Sequence, residues 1–358
     1  MLEVLFRVDG GGRLGLGNPQ RCLSLATALR HLGADSFFLT NERQVLAEWV
    51  SSAGFRSSDR GQPSWGEQDL RDTIDLGRSL GSSVVVVDSR EAGGDYLREL
   101  RAADFFVCAI DDLALCVFPC QMVVNGGAQA STLPYRSSSG DTRFVLGPEY
   151  AILGRPFWEG SSAPTRGETV NEVLVTLGGA DPKNLMPEIL RILDEAPGSF
   201  SVSAVIGPFF DNVRAVEEVA TNASRPVTLL RGLTSLHDLM LRADLAVSGA
   251  GQTLHELATV GCPAVAVEVA SDQGLQLAAF AEAGSVSAVR RCDAEGVAEI
   301  RETVSTLLRD AQLRASMATA GRRLVDGRGA LRVAEAIMTG VAARATVDGA
   351  EACRTGFP

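Results

Sequence analysis

The sequence predicts an α/β protein built from two doubly wound parallel sheets, and three observations lead to this class. Short apolar runs alternate with segments of helical periodicity along the 358 residues, which is the pattern of parallel strands joined by helices. Some runs, such as residues 84–87, are continuously apolar, as expected for strands buried on both faces. A polar stretch at 158–167, broken by a proline, separates two such series and predicts a linker.

The apolar runs assign elements to each half of the chain. Strands are predicted at 4–8, 36–39, 84–87, 105–110 and 122–124, and then at 173–176, 202–206, 227–230, 245–247 and 264–267. Helices are predicted at 20–32, from 182, at 294–308 and at 330–342. The corresponding domains are 1–157, a linker at 158–170, a second domain at 171–345 and a tail at 346–358. Packing of the final helix against the first domain is left open. A cleft between the two halves is expected to hold the ligand.

Composition narrows the class of partner. The chain carries 44 acidic and 33 basic residues, a net charge of −11, which argues against a nucleic-acid-binding protein. It has no apolar run of the roughly 20 residues that cross a bilayer and no signal-peptide pattern at its start. Seven cysteines without a CxxC pair predict reduced thiols. We therefore expect a cytoplasmic protein that binds small molecules.

The first candidate functional loop follows the first predicted strand and is rich in glycine. Gly15 and Gly17 let the backbone approach a ligand, and the next helix begins with backbone N–H groups that favour anions. Asn18 and Pro19 have the pattern of a helix N-cap and first helical residue, so capping alone can explain Asn18. The dinucleotide-binding fingerprint is absent because Gln20 occupies the position of its third glycine.

The second loop repeats this arrangement in the other half of the chain. Gly178 and Gly179 follow a predicted strand, and Asp181 and Pro182 again have the order of a cap and a first helical residue. A tight strand-to-helix turn and a ligand-facing pair of glycines are both consistent with this pattern.

The third loop, at 248–258, leads from a strand into a helix. Gly251 and Gln252 precede Thr253 and Glu256, which have the spacing of a capping box, so Glu256 is interpreted either as part of a helix cap or as a ligand contact. Small residues before a helix also form a binding site for a diphosphate, and an acidic side chain one helical turn later can contact the ribose hydroxyls. Gln273 follows the next strand and is expected at the same rim.

Two groups of carboxylates end strands of the first half, at the sheet edge where catalytic acids are common. Asp88 and the pair Asp111–Asp112 are candidates for a general base or a metal site, although capping of the following turn is their commonest role. The three histidines have no metal-ligand spacing, and we expect no metal. The GxSxG and GxxxxGK[ST] motifs are absent, which argues against a serine triad and P-loop hydrolysis.

A resemblance to a known family extends over nearly the whole chain. It is carried by residues 5–9, 15–23, 86–88, 110–114, 146–153, 175–184 and 326–333, and by Asn125 and Tyr135. These segments resemble the UDP-sugar hydrolases of the pseudaminic acid pathway and the spore-coat polysaccharide proteins. Both belong to the GT-B glycosyltransferase superfamily, whose nucleotide-sugar motif resembles the third loop with Glu256, Gly261, Pro263 and Gln273.

The resemblance implies two Rossmann-like domains that face an interdomain cleft and bind a UDP-sugar there. The second domain would hold the nucleotide through Gly178, Gly179, Asp181, Gly251, Gln252, Thr253, Glu256 and Gln273. The first domain would present the sugar and the attacking group through Gly15, Gly17, Arg21, Asn125 and Tyr135. Enzymes of this kind usually need no metal cofactor, because helix ends and backbone donors stabilise the departing diphosphate.

One position departs from the family pattern. The hydrolases carry a histidine where this sequence has Asn18, and a carboxamide cannot accept a proton as an imidazole does. General-base catalysis contributes about 100- to 10,000-fold, so the sequence favours transfer of an amino sugar from UDP to a small acceptor, with Asp88 or Asp112 as base or with an amine as nucleophile. A hydrolase of UDP-2,4-diacetamido-2,4,6-trideoxy-sugars with a relocated base and a catalytically silent UDP-sugar-binding protein are the alternatives.

Overall fold

The computed structural model describes residues 2–10, 17–40, 45–59, 65–160 and 166–355, without the side chains of 45, 59 and 347–355. The chain divides into two compact units. The first consists of Met1–Arg155 and Arg328–Pro358, and the second of Pro156–Gly327.

Within the described residues, the first unit contains a seven-stranded parallel sheet. Its strands are β1 (Glu3–Val8), β2 (Asp35–Thr40), β3 (Arg56–Asp59), β4 (Val84–Asp88), β5 (Phe106–Ile110), β6 (Met122–Asn125) and β7 (Arg143–Leu146). They are arranged in the order β3-β2-β1-β4-β5-β6-β7. β4 and β5 are buried along their whole length, as expected for central strands covered on both faces.

Among the described residues of the second unit, six strands form a parallel sheet of the same kind. They are β8 (Glu172–Thr176), β9 (Ser201–Val205), β10 (Val227–Leu230), β11 (Leu245–Gly249), β12 (Ala264–Val267) and β13 (Val286–Val289). Their order is β10-β9-β8-β11-β12-β13. Apolar side chains of β8, β9, β11 and β12 form one core with those of the covering helices.

Helices connect and cover these strands. In chain order they are α1 (Gly17–His31), α2 (Val45–Ser52), α3 (Glu67–Ser79), α4 (Gly94–Ala102), α5 (Arg155–Glu159), α6 (Leu185–Glu195), α7 (Val213–Asn222), α8 (His237–Arg242), α9 (Thr253–Val260), α10 (Gly274–Glu282), α11 (Ala294–Arg309), α12 (Ala311–Leu324) and α13 (Gly329–Thr355). Short 3-10 helices lie at Ala130–Thr132 and Pro148–Tyr150. The predicted buried face of α1, with Leu23, Leu25, Ala26 and Leu29, is confirmed.

Each sheet has one topological switch point, where the strand order reverses. In the first unit it lies between β1 and β4, and in the second between β8 and β11. The loops that leave two adjacent strands diverge to opposite faces at such a point and open a crevice at the carboxyl edge, where ligands of α/β sheets bind. The chain therefore provides two defined places in which to look for a site.

The α/β class with two doubly wound parallel sheets is confirmed, but some boundaries differ from the prediction. The last helix, α13, belongs to the first unit, where it packs on α1 and where Arg332 Nη1 donates to the Glu149 carbonyl at 2.8 Å. The second unit therefore ends at Gly327 rather than at residue 345. The predicted tail at 346–358 is helical as far as Thr355, since no proline interrupts the sequence before that residue.

Candidate active site

The switch point of the second unit is formed by small residues. Gly178 follows β8 with φ +95°, a conformation that requires glycine. A Cβ at Gly207 would lie 2.4 Å from the carbonyl oxygens of Gly178 and Gly179, so only glycine fits there as well. The N–H of Phe209 donates to the Gly179 carbonyl at 2.9 Å. The loop after β9 therefore holds the glycine pair in one fixed shape.

The other side of this crevice is the loop between β11 and α9. The amide of Gln276, on α10, donates to the carbonyls of Ala250 and Gly251, both at 2.9 Å. The Gln273 side chain accepts the Val269 N–H at 3.1 Å, and its Nε2 would lie 3.6 Å from a Cβ at Gly251. The structure thus brings Gly251 and Gln273 together, as predicted for one rim. Gln276, which fixes this loop, was not predicted.

Glu256 lies one turn into α9 at this edge. The capping-box interpretation is wrong, because the helix already begins at Thr253 and the residue before it, Gln252, is helical and makes no side-chain cap. The Thr253 side chain therefore does not occupy the N-cap position that the motif requires. Burial raises the pKa of the Glu256 carboxyl to about 7, since desolvation favours its neutral form.

Asp181 has a structural role in the same loop region. Its two carboxylate oxygens accept the N–H groups of Leu185 and Met186, each at 2.9 Å, and Asn212 Nδ2 donates to it at 2.8 Å. The side chain thus caps α6, which begins at Leu185 and not at Pro182. The contacts of Asp181 in the structure are those of a helix cap, and its predicted nucleotide-binding role stays a prediction.

In the first unit, an ion-pair cluster spans the switch point. Arg21, in the first turns of α1, holds Asp88 at the end of β4 through Nε–Oδ2 and Nη2–Oδ1 contacts of 2.6 and 2.7 Å. Its Nη1 lies 2.7 Å from Asp112 Oδ1. The Asp88 side chain is 1% exposed, that of Arg21 13% and that of Asp112 34%. Of the two predicted catalytic carboxylates, Asp112 therefore reaches solvent, whereas Asp88 is enclosed.

The electrostatics of this cluster follow from its burial. Burial opposes the charge of Arg21, yet the carboxylates of Asp112 and Asp88 raise its pKa well above the ordinary value. Burial raises the pKa of Asp88, although the Arg21 guanidinium opposes the shift. One cation thus holds two carboxylates in place, an arrangement in which removal of the cation leaves a buried charge uncompensated.

Asn125 and Tyr135 also meet in the first unit. The Tyr135 hydroxyl accepts from Asn125 Nδ2 at 2.8 Å and donates to Asp111 Oδ2 at 2.6 Å. Asp111 Oδ2 in turn accepts the N–H groups of Leu113 and Ala114 at 3.0 and 2.7 Å. Asp111 therefore caps the turn that follows β5, the common role of such residues, and the predicted pair Asn125–Tyr135 shares one network with it.

The predicted residues of the first loop are only partly described. Gly15 lies outside the described residues. Gly17 begins α1, so Asn18 is the second helical residue rather than the N-cap, and its side chain is half-buried. The structure places Asn18 in the same first turns as Arg21.

Two polar residues that were not predicted lie between these elements. Asp9 follows β1 and is 2% exposed. Its carboxylate accepts from Arg7 Nη1 at 3.1 Å, from Ser89 Oγ at 2.6 Å and from the indole N–H of Trp65. The sequence signal was present, because Asp9 and Ser89 each stand directly after a central strand, but their pairing depends on the strand order.

A cavity of about 160 Å³ opens beside the ion-pair cluster at the ends of β4 and β5. Its polar wall includes Arg21, Asp88, Ser89 and Asp112, and its apolar wall includes Leu97 and Phe118. Within the described part of the chain, no group of three or more His, Cys, Asp or Glu side chains is placed to hold a metal ion. The described helices include none with the length and apolarity to cross a membrane.

Comparisons with known proteins show what the chain is similar to. No protein-family model matches it. It is 24% identical over 275 residues to an uncharacterised protein of Methanocaldococcus jannaschii (74% of this chain, 55% of the relative). It is 27% identical over 196 residues to the spore coat polysaccharide biosynthesis protein SpsG of Bacillus subtilis (54% and 58%). It is 25% identical over 275 residues to the pseudaminic acid cytidylyltransferase and UDP-2,4-diacetamido-2,4,6-trideoxy-β-L-altropyranose hydrolase of Helicobacter pylori (75% and 45%).

The chain spans about half the length of these curated relatives. Among solved structures, MurG of Acinetobacter baumannii matches with a TM-score of 0.69 at 16% identity, over 95% of this chain and all of that one. The MnaA–UDP complex of S. aureus matches with a TM-score of 0.64 at 11% identity, over 93% and 95%. The chain thus resembles the spore-coat polysaccharide and pseudaminic acid pathway proteins in sequence, and its two Rossmann-like domains have the fold of the GT-B glycosyltransferases.

Proposed function

We propose that the protein is a glycosyltransferase that cleaves the anomeric C–O bond of a UDP-(amino)sugar and transfers the sugar to a small acceptor. The observation that carries this proposal is the second unit's switch point, where the second and third predicted loops and Gln273 lie at one sheet edge. Residues Gly178, Gly179, Gly251, Gln252, Thr253 and Glu256 belong to these loops.

The second unit would bind the nucleotide. The first turn of an α-helix has N–H groups without intrahelical partners, and its dipole favours anions. In this proposal, the start of α9 binds the diphosphate, with Gly178 and Gly251 allowing close approach of the backbone. Glu256 accepts hydrogen bonds from the ribose hydroxyls. The likeness to a structure that contains UDP supports this assignment.

The departing diphosphate would be stabilised by the same helix end. As the anomeric C–O bond breaks, its electron pair moves to the diphosphate, and fixed backbone donors stabilise the charge that develops there. This scheme uses no metal ion and no other cofactor.

The first unit would bind the acceptor and the sugar. Arg21 and Asp112 lie in the wall of the cavity, and in this proposal Asp112 contacts the acceptor. Asp88 acts as a positioning residue, because both of its oxygens hold Arg21 and it is almost completely enclosed. The Asn125–Tyr135 pair fixes the neighbouring loop and contacts the sugar.

A hydrolase is the second candidate, and the name of the Helicobacter pylori relative favours it. Water would then replace the acceptor. Asn18 is the argument against this alternative, because its carboxamide cannot take the proton of water.

Measurement of UDP release from a panel of UDP-sugars separates these activities. We expect release only when a small amine or hydroxyl compound is added. Release at the same rate in buffer alone would favour the hydrolase. An increase in melting temperature with UDP but no release under either condition would contradict both and indicate a binding protein.

Replacement of Asn18 by histidine tests the hydrolase alternative further. If position 18 divides the two activities, Asn18→His gains hydrolysis of the UDP-2,4-diacetamido-2,4,6-trideoxy-sugar by about 100-fold or more, the contribution of a general base. Asn18→Gln, which retains a carboxamide, is the control and should show no gain. Equal hydrolysis by both variants would contradict this role of position 18.

A further inference from the structure

We propose that the cavity beside β4 and β5 is the acceptor site, and that Ser89, positioned by Asp9, takes the proton of the acceptor's hydroxyl or amine during transfer. This inference rests on the proposed function and extends it to the acceptor. The two residues are 80 positions apart in sequence and are brought together by the β1–β4 pairing of the sheet.

The hydrogen bonds of Ser89 fix the direction in which its hydroxyl points. Its Oγ–H donates to Asp9 Oδ2 at 2.6 Å, and the same Oγ accepts the N–H of Glu91 at 3.1 Å. A serine hydroxyl has one proton and two lone pairs, so one lone pair remains after these two bonds. Because Ser89 lines the cavity, it offers a ligand there a hydrogen-bond acceptor and no donor.

The contacts of Asp9 orient its carboxylate to accept the hydrogen bond from the Ser89 hydroxyl. Its Oδ1 accepts from Arg7 Nη1 at 3.1 Å, and its Oδ2 accepts from Ser89 and from the indole of Trp65. Carboxylates have no proton to donate when ionised, so the Ser89 proton must point toward Asp9 and not into the cavity. Asp9 therefore acts through Ser89, since its own side chain is almost completely buried.

Arg7 and Asp69 hold Asp9 in place beside Ser89. Arg7 is completely buried, and its guanidinium contacts the carboxylates of Asp9 and Asp69. Its Nε and Nη2 lie 3.1 and 2.9 Å from Asp69 Oδ1, whereas Asp9 receives one contact. Arg7 therefore contacts Asp9 through Oδ1, and the other oxygen, Oδ2, is the one that accepts from Ser89.

The resulting step is balanced. The nucleophilic oxygen or nitrogen of the acceptor forms a bond to the anomeric carbon, while the C–O bond to UDP breaks and leaves its electron pair on the diphosphate. The proton of the nucleophile moves to Ser89 Oγ as the Ser89 proton moves to Asp9 Oδ2. Return of the Asp9 proton to solvent restores the starting state. Asp112, which also lines the cavity, remains available to orient the acceptor.

The chemistry of the cavity therefore specifies the class of acceptor. A compound that donates a hydrogen bond, such as ethanolamine, can donate to the remaining lone pair of Ser89 Oγ. An ether of similar size without donors, such as 1,2-dimethoxyethane, leaves both itself and Ser89 as acceptors and is expected to be rejected.

The test compares Ser89→Ala with Ser82→Ala. Both serines flank β4, but Ser82 lies at the opposite end and donates to the backbone carbonyls of Glu3 and Val84 at 2.8 Å. Ser82→Ala therefore removes a comparable hydroxyl from the same unit without touching the cavity. Binding of ethanolamine and 1,2-dimethoxyethane is measured by NMR titration of the full chain in the presence of UDP.

We expect Ser89→Ala to weaken ethanolamine binding by about tenfold, the effect of one hydrogen bond to a charged group, and Ser82→Ala to leave it unchanged. The donor that gives the fastest ethanolamine-dependent UDP release then serves for kinetics. Ser89→Ala should lower kcat by about 100-fold and abolish the solvent isotope effect on kcat. Ser89→Thr, which keeps the hydroxyl, should restore both, and Asp9→Asn should lower kcat with Ser89 intact.

Equal binding of ethanolamine by wild type and Ser89→Ala, or an unchanged isotope effect, would overturn the inference while the proposed function stands. No UDP release by the wild type with any of the small amine or hydroxyl compounds would overturn the proposed function and this inference together. If Asp9→Asn does not fold, the Ala and Thr variants of Ser89 decide the question alone.

Discussion

The two switch points of the molecule have the same sheet topology and opposite chemistry. In the second unit, the crevice between β8 and β11 is bordered by glycines and side-chain amides, with Glu256 and the helix-capping Asp181 as acidic groups. In the first unit, the crevice between β1 and β4 is crossed by Arg21 and Asp88 and bordered by Asp9. The sheet topology therefore determines where the loops meet. In the proposed function, the residues of those loops determine whether the crevice binds a diphosphate or carries out a proton transfer.

The largest expected effect is on stability and comes from the charged switch point. Arg21→Ala leaves the buried Asp88 carboxylate without its cation, so we expect a loss of about 3 kcal/mol in the free energy of unfolding at pH 7, measured by urea denaturation. Arg71→Ala is the control, because Arg71 and Glu67 form an exposed i,i+4 pair at 3.2 Å that contributes about 0–1 kcal/mol. Equal losses in the two variants would show that Arg21 does not stabilise a buried charge.

The second effect concerns the glycines of the other switch point. Gly178 and Gly198 have φ of +95° and +102°, and neither has an atom closer than ordinary contact to its missing Cβ. Alanine at either position should therefore cost about 1–3 kcal/mol of backbone strain. Because Gly198 lies in the loop before β9, at the amino edge of the sheet, only Gly178→Ala should also weaken UDP binding, by about tenfold or more. Calorimetric titration with UDP measures this difference, and the same affinity in both variants would remove Gly178 from the nucleotide site.

A smaller effect is expected from pH. Burial raises the pKa of Glu256 to about 7 in the folded protein, above the value of an exposed carboxyl. The folded state therefore binds this proton more tightly than the unfolded state, so the contribution of Glu256 to stability falls as pH rises toward and through 7. If the ribose hydroxyls donate to the ionised carboxylate, UDP affinity should rise between pH 6 and 8 by up to about tenfold.

Glu256→Gln is the matched control for this dependence, since the variant cannot titrate at this position. Any pH dependence that it retains belongs to UDP or to other groups. Identical pH profiles for wild type and variant would leave Glu256 without a role in binding UDP.

The smallest expected effect is that of chelation. In the proposed scheme, the diphosphate is held by backbone N–H groups and the dipole of α9. We therefore expect EDTA to leave UDP release within about twofold of the untreated rate, a change too small to reflect the loss of a catalytic metal ion. A large loss that is restored by added Mg²⁺ would replace the helix end with a metal ion as the stabilising group.

The sequence predicted the positions of the loops better than their contacts. Gly178 and Gly251 could be placed at a sheet edge because each follows an apolar run and precedes a helical segment. The strands β3, β7 and β13 were not predicted, because these edge strands have only four residues each, are partly exposed and, as at 56–59, can lack an apolar pattern. Gln276 and Ser89 could not be assigned roles, because their hydrogen-bond partners are defined by the pairing of distant strands and loops.

Buried charge was the other feature beyond the reach of sequence patterns. Arg7 stands in an apolar run, where the pattern alone does not explain a cation. Its partner Asp69 is 62 residues away, on α3. The sequence around either residue does not predict that the two form an ion pair. Asp88 was predicted as catalytic from its place at a strand end, and the structure adds that Arg21 covers both of its oxygens.

Amide hydrogen exchange with and without UDP tests the difference between the two switch points most directly. The account predicts that UDP slows exchange in peptides that cover 177–184, 249–256 and 268–276, and leaves exchange at 84–92 unchanged. Protection confined to 84–92, or no protection at the second unit's switch point at saturating UDP, would contradict the assignment of the nucleotide site.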